Sequence, residues 1–207
     1  MAENKIGIQI PDKYAQLYGI FEGEFARNFS YKKASGKVRA VQSGDTKLLS
    51  SIGEAIEKTG LKDGMTISFH HHFREGDAVL NMVLNEIAKR GIKNLTLASS
   101  SLANVHEPLI EHVKNGVVTS ITSSGLRDKI GSAISSGLME NPVIIRSHGG
   151  RVRAIETGDI HIDVAFLGAS SSDEYGNSNG SHGKATCGSL GYAKVDAEFA
   201  DNVVIIT

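Results

Sequence analysis

The sequence is short of the features that would narrow its class at once. It has a single cysteine, Cys187, in 207 residues. One thiol cannot close an intramolecular disulfide, so the chain suits a reducing cytosolic setting and gives no sign of a Cys-based metal centre. It also lacks a charge excess: 22 basic and 23 acidic residues leave a formal net charge of -1, with no Lys/Arg cluster. Neither nucleic acid nor an anionic membrane is therefore expected as a partner. No apolar run approaches the roughly 18 residues of a membrane span. Near the start, Glu3, Lys5, Asp12, Lys13 and Glu22 interrupt every short apolar piece, so a secretory signal is not expected either. These absences together predict a soluble, cytoplasmic protein. There is no Gly-x-Ser-x-Gly elbow, no P-loop and no Gly-x-Gly-x-x-Gly after a strand, which removes the common hydrolase, nucleoside triphosphatase and dinucleotide readings.

What is present is patterned. With 40% hydrophobic residues the chain can bury one substantial core. Residues 1–43 show no sustained period and are expected to form an N-terminal extension lying across the core or a partner. From residue 44 onward the pattern is regular and predicts one α/β domain, 44–207. Asp45 is placed as the cap of a helix carrying Leu48, Leu49, Ile52, Ala55 and Ile56 on one face, stopped at Gly60. Helices are expected over 76–90, in "VHEPLIEHVKNG" and in "SSGLRDKIGSAISSG", with Ser123 and Ser124 as caps. The runs "MTISF", "IKNLTLASSS", "VVTSIT", "PVIIRS", "IDVAFLGAS" and "NVVIIT" read as strands. Continuous apolar strands alternating with amphipathic helices predict an open, mostly parallel sheet flanked by helices.

Ligands of such folds bind beyond the carboxyl ends of the strands. The predicted strand-end loops contain His70, His71, His72 and Arg74; Ser99 and Ser100; Ser123, Ser124 and Arg127; Arg146, His148, Gly149, Gly150 and Arg151; and Asn177, Asn179 and Gly180. Small residues, hydroxyls and cations offer N–H donors and positive charge to an anionic ligand. The arginines suit forked contacts with carboxylates. "SHGGR" reads equally as a functional loop or as a plain turn with a solvated arginine. The long polar stretch from Ser170 to Gly188 is read as functional because of its position, with Asp173 and Glu174 as candidate acids or bases. In "ISFHHHFREGD", strand alternation sets His70 and His72 on one side and His71 on the other. No metal is expected there, since a shared ion would need further ligands that the spacing does not supply.

Four stretches, "DGMTISFHHHFREGD", "RSHGGRVRAIETGDIHIDVAF", "DEYGNSNG" and "CGSLGYAKVDAEFAD", together resemble the alpha-subunit family of citrate lyase, the citrate CoA-transferases. The likeness runs from about Gly36 to Thr207. In the wider CoA-transferase superfamily the first strand-end loop is glycine-rich; here the histidine triplet occupies that place, a mark of the citrate lyase branch. The resemblance implies a CoA-transferase-like fold and an exchange of acetyl for citryl on an acyl carrier protein thioester, with release of acetate. It implies a beta subunit that cleaves citryl thioester and a gamma subunit that carries the CoA-derived prosthetic group, so that this chain itself holds no cofactor. It further implies a ternary complex in which a citrate carboxylate attacks the thioester, giving a mixed anhydride without a covalent enzyme glutamate. Family alpha chains are more than twice this length and contain two CoA-transferase-like halves. The chain is accordingly expected to be an N-terminal fragment, inactive when isolated. The alternatives are a CoA-transferase or acyl-CoA hydrolase for another carboxylate, or a non-catalytic assembly fragment.

Overall fold

In a computed structural model of the 207-residue chain, residues 1–20, 36, 46–70 and 72–207 are described. The chain divides into two compact units, Met1–Lys32 and Lys33–Thr207. In the first, two short strands, β1 (Ala2–Glu3) and β2 (Gln9–Ile10), pair antiparallel. The Asn4 Oδ1 closes their turn by accepting the Ile6 and Ile8 N–H groups at 3.1 and 2.9 Å. Pro11 then starts α1 (Asp12–Tyr18), its fixed φ being suited to a first turn.

The second unit is the α/β body. Helix α2 (Ile52–Lys58) begins later than the sequence pattern suggests, because the Ser51 hydroxyl caps it by accepting the Glu54 N–H at 3.1 Å. Leu48 and Leu49 precede the helix and are exposed, while Asp45, the expected cap, lies outside the described residues. There follow β3 (Thr66–Phe69), α3 (Val79–Lys89), β4 (Leu95–Ser99), α4 (Leu109–Lys114) and β5 (Val118–Ser123). Helix α3 starts at Val79 rather than Gly76, since a single 3-10 turn at Arg74–Gly76 precedes it and the Asp77 carboxylate accepts the Val79 N–H at 3.0 Å. Helix α5 (Asp128–Ser135) starts four residues beyond Ser124, so neither Ser123 nor Ser124 caps it. The intervening residues extend the β4–β5 pairing through a parallel bridge between Leu102 and Leu126. The chain continues through β6 (Ile144–Ile145), α6 (His148–Glu156), β7 (Val164–Gly168), the hairpin β8 (Ser171–Ser172) and β9 (Ser178–Asn179), α7 (Lys194–Phe199) and β10 (Asn202–Ile206).

Six strands form one sheet in the order β10-β7-β3-β4-β5-β6, and every pairing in it is parallel. The strand alternation separates two faces. Ile67, Phe69, Leu97, Ile121, Val164 and Phe166 form one core with α2 to α5; the Phe69 and Phe166 rings stack at 5.6 Å. On the opposite face the central strands present small residues, Ser68, Ala98 and Ala165, and α6 and α7 pack there through Ala154, Ile155 and Val195. Short side chains leave room on that face for larger groups. The room is filled by Arg151 and Asp196, 1% and 0% exposed.

Candidate functional site

"SHGGR" is the first turn of α6. Ser147 caps it by accepting the Gly150 N–H at 3.0 Å, and the helical rise carries Arg151 one turn inward. On α7 Asp196 lies opposite. Arg151 Nη1 donates to Asp196 Oδ1 at 2.8 Å and Nη2 to Oδ2 at 2.6 Å, a two-pronged ion pair. Nη2 also reaches the Ser68 hydroxyl at 3.1 Å and the Ala98 carbonyl at 3.2 Å, and the Ser68 hydroxyl donates to Asp196 Oδ2. Burial by itself would push the Asp196 pKa up. The bonds from Arg151 and His70 and their charges outweigh it and hold the carboxyl well below the usual range. For Arg151 burial works downward, and the Asp196 pair overrides it and raises the pKa.

His70 leaves β3 on the same side as Ser68. It is 3% exposed, with Nε2 3.0 Å from Asp196 Oδ1. Its ring stacks on His72 at 5.4 Å and 7°, as alternation predicts, while His71 lies outside the described residues. The Tyr192 ring meets His70 edge-on at 5.0 Å, lies 4.8 Å from His148 and covers the Arg151 guanidinium at 5.6 Å. Four rings, His72, His70, Tyr192 and His148, thus run in a row at the carboxyl end of the sheet, buried at His70 and exposed at His148.

Beside this row opens a cavity of about 910 Å³. Phe73, Val79 and Met82 give it apolar walls; His72, Arg74 and Lys184 give it polar ones. Arg74 is exposed and held at φ 58 by the 3-10 turn. Neighbouring strand ends are joined by backbone bonds: Ser100 N–H to the Phe69 carbonyl, Ser124 N–H to the Ser100 carbonyl and Arg146 N–H to the Ser123 carbonyl, each 2.9 to 3.1 Å. Ser99, Ser100 and Ser123 are buried, and the Ser99 and Ser123 hydroxyls are 3.4 Å apart. Arg127 is exposed at the start of α5, and Arg146 is half-buried just before α6.

Two groups of sequence candidates have structural duties. The Asp173 carboxylate accepts the Asn177 side-chain amide at 2.8 Å and the N–H groups of Asn177 and Tyr175 at 2.9 and 3.0 Å, which lowers its pKa, the Asn177 amide first among the causes. Asn179 Oδ1 accepts the Ser181 and His182 N–H groups, each at 3.0 Å. A Cβ on Gly180 would lie 1.9 Å from the Gly188 carbonyl oxygen, so glycine is required there for close packing. The sequence reasoning missed Ser68, Tyr192 and Asp196. A serine inside the apolar run "MTISF" and an aspartate on the inward face of "KVDAEF" were the available signals, since a polar residue at a core position needs a partner. Among the described residues, the grouping of His, Cys, Asp or Glu able to converge on a cation is His161, Asp163 and Asp201. It precedes β7 and β10, at the opposite end of the sheet. Also among the described residues, no helix is long and apolar enough to cross a membrane.

The comparisons with known proteins agree with this architecture. The family described as citrate lyase, alpha subunit (CitF), matches residues 45–207. The citrate lyase alpha chain of Haemophilus influenzae is 61% identical over 163 residues, covering 79% of this chain and 33% of that one. The alpha chain of Escherichia coli is 57% identical over 169 residues, covering 82% and 33%. The chain therefore spans about a third of the length of these relatives. A solved citrate lyase alpha subunit from Streptococcus mutans, described in complex with citrate, is 72% identical with a TM-score of 0.90, covering 98% of this chain and 40% of that one. With a parallel six-stranded sheet, the histidine loop at its carboxyl end and a family match over residues 45–207, the chain belongs to the citrate lyase alpha-subunit family.

Proposed function

We propose that this chain is the first part of a citrate lyase alpha subunit, which exchanges acetyl for citryl on an acyl carrier thioester and releases acetate. The observation that carries the reading is the family match over residues 45–207. Citrate brings three carboxylates at neutral pH, so its site needs cations and N–H donors. The α6 turn offers exposed His148 and Gly149 beside Arg146, and the cavity offers His72 and Arg74. Arg151 does not touch citrate in this arrangement, because its forked end is held by Asp196. It acts as a fixed cation behind the rings.

In the reaction, a citrate carboxylate oxygen attacks the acetyl thioester carbonyl and the thiolate leaves, giving a mixed anhydride. The thiolate then attacks the citryl carbonyl of that anhydride and acetate departs. Fixed donors stabilise each oxyanion. In this reading the chain works in a cytoplasmic complex with a lyase beta subunit and a carrier gamma subunit, the CoA-derived group belonging to the carrier. The matched stretch covers about a third of the relatives, and in this reading the further length of such an alpha chain completes the site, the 207 residues alone being inactive.

The test uses the full-length parent, acetyl carrier protein and isotope-labelled citrate, with mass spectrometry of the carrier. Labelled citryl thioester and free acetate are expected. Release of acetate with free carrier thiol would instead mark a hydrolase, and transfer to citramalate or another acid but not citrate would mark a different CoA-transferase.

A further inference from the structure

Asp196 touches no wall of the large cavity, yet it contacts the group that supports one. Its Oδ1 meets Arg151 Nη1 at 2.8 Å and His70 Nε2 at 3.0 Å; its Oδ2 meets Arg151 Nη2 at 2.6 Å and the Ser68 hydroxyl. The Nε2 contact is a 3.0 Å charge contact off the line of a formal hydrogen bond, and a carboxylate oxygen that near favours hydrogen on the facing ring nitrogen. His70 is buried, stacks in parallel on His72 and is flanked by the Tyr192 edge. His72, one step outward, lines the cavity, and its Nδ1 lies 3.2 Å from the Gly168 carbonyl oxygen.

We propose that Asp196 is a positioning residue for the acyl exchange: clamped by Arg151 and Ser68, it fixes the His70 ring with hydrogen on Nε2, and through the stack fixes the His72 imidazole that faces the cavity. The role rests on the functional reading above. It adds a residue in the layer behind the site, on a helix distant in sequence from the histidine loop. Small residues on the central strands serve this purpose, because only Ser68, Ala98 and Ala165 leave depth for a carboxylate and a guanidinium beneath the rings.

The clamp also joins α6 to α7, so the test must separate positioning from stability. In the full-length alpha chain within its complex, Asp196→Asn keeps the shape and removes the charge. Ser68→Ala removes one hydrogen bond from the same carboxylate and leaves the His70 contact. Asp196→Asn is expected to lower kcat for citryl thioester formation about 100-fold, the scale of losing one fixed oxyanion donor, with KM for citrate almost unchanged. Ser68→Ala is expected to lose far less. Imidazole nitrogen NMR, with the His70 signal assigned by its loss in His70→Gln, is expected to show hydrogen on Nε2 in the wild type. Equal kcat losses in the two variants, or a His70 protonated on Nδ1 alone, would overturn the role; the second result decides even if Asp196→Asn fails to fold. A wild type that forms no citryl thioester sinks the functional reading and this role with it, whereas an active wild type with equal variants sinks the role alone.

Discussion

The two faces of one sheet solve the burial problem in opposite ways. Toward α2 to α5 the strands present Ile67, Phe69, Leu97, Ile121, Val164 and Phe166, and the helices answer with Val83, Leu84 and Ile87, each 0% exposed. Toward α6 and α7 the strands present Ser68, Ala98 and Ala165, and the helices answer with an arginine and an aspartate. The first face is held by apolar area and tolerates substitutions that conserve volume. The second is held in part by a charge pair whose halves are each costly when left alone in a dry interior. The second face carries the clamp beneath the strand-end rings, whereas Val79 of the first face only walls the cavity beside them. Stability and site geometry therefore rest on the same residues on the polar face and on largely different ones on the apolar face.

The largest break in this comparison should come from removing one charge. Arg151→Met leaves Asp196 buried without its counter-ion and should destabilise the fold by about 3–5 kcal/mol, read by urea unfolding of the chain. On the apolar face, Leu84→Ala should cost about 2–5 kcal/mol through lost burial and a cavity. Leu84→Met should cost under about 1.5 kcal/mol, whereas no single conservative change at Arg151 should be so mild, Arg151→Lys included, because the two-pronged geometry is lost.

Among the described residues, the buried carboxylates Asp196 and Asp77 have pKa values displaced in opposite senses. Asp196 has its folded pKa below its unfolded value. Its contribution is present above the unfolded carboxylate range and is lost as pH falls through and below it. Asp77 has its folded pKa raised, burial being the first cause against bonds from Val79 and Phe73 N–H groups. It favours folding while neutral, and that contribution is lost as pH rises from the unfolded value through the raised folded one. Asp196→Asn should therefore flatten the acid limb of the stability-pH curve. Asp77→Asn should leave neutral-pH stability unchanged or higher, since an amide oxygen can still cap Val79. Unfolding midpoints across the acidic range check both.

The smallest effects should separate two glycines. A Cβ on Gly180 collides with the Gly188 carbonyl oxygen, while one on Gly149 meets nothing within 4 Å. Gly180→Ala should disrupt the β8–β9 hairpin, visible as a lowered Tm. Gly149→Ala should change stability by less than about 1 kcal/mol in either direction, yet lower citrate turnover in the full-length parent if its backbone approaches the ligand.

Much of this was legible in the sequence because it is periodic. The strand order could not be read from the chain, but parallel pairing followed from apolar runs alternating with helical stripes, and the 70/72 pairing of rings followed from strand alternation. Helix starts were harder: Ser51, and not Asp45, caps α2, and the Ser124 N–H bonds the Ser100 carbonyl beyond β4 instead of starting α5, because a serine or aspartate before an apolar stripe signals a cap without fixing which one is used. "SHGGR" was open between loop and turn, since its two glycines weaken a helical pattern that Ser147 and the buried Arg151 restore. Asp196 was invisible as a partner, because its contacts to Arg151, His70 and Ser68 join residues 45 to 128 positions apart in sequence.

The central proposal is that the polar face of the sheet supports a citrate-binding end of the site. Hydrogen–deuterium exchange of the full-length parent with and without citrate tests it most directly. Slowed exchange is expected at the histidine loop, residues 70–76, and at the α6 turn, residues 147–151. Citrate protection confined to other parts of the chain, with both segments unchanged, would contradict it.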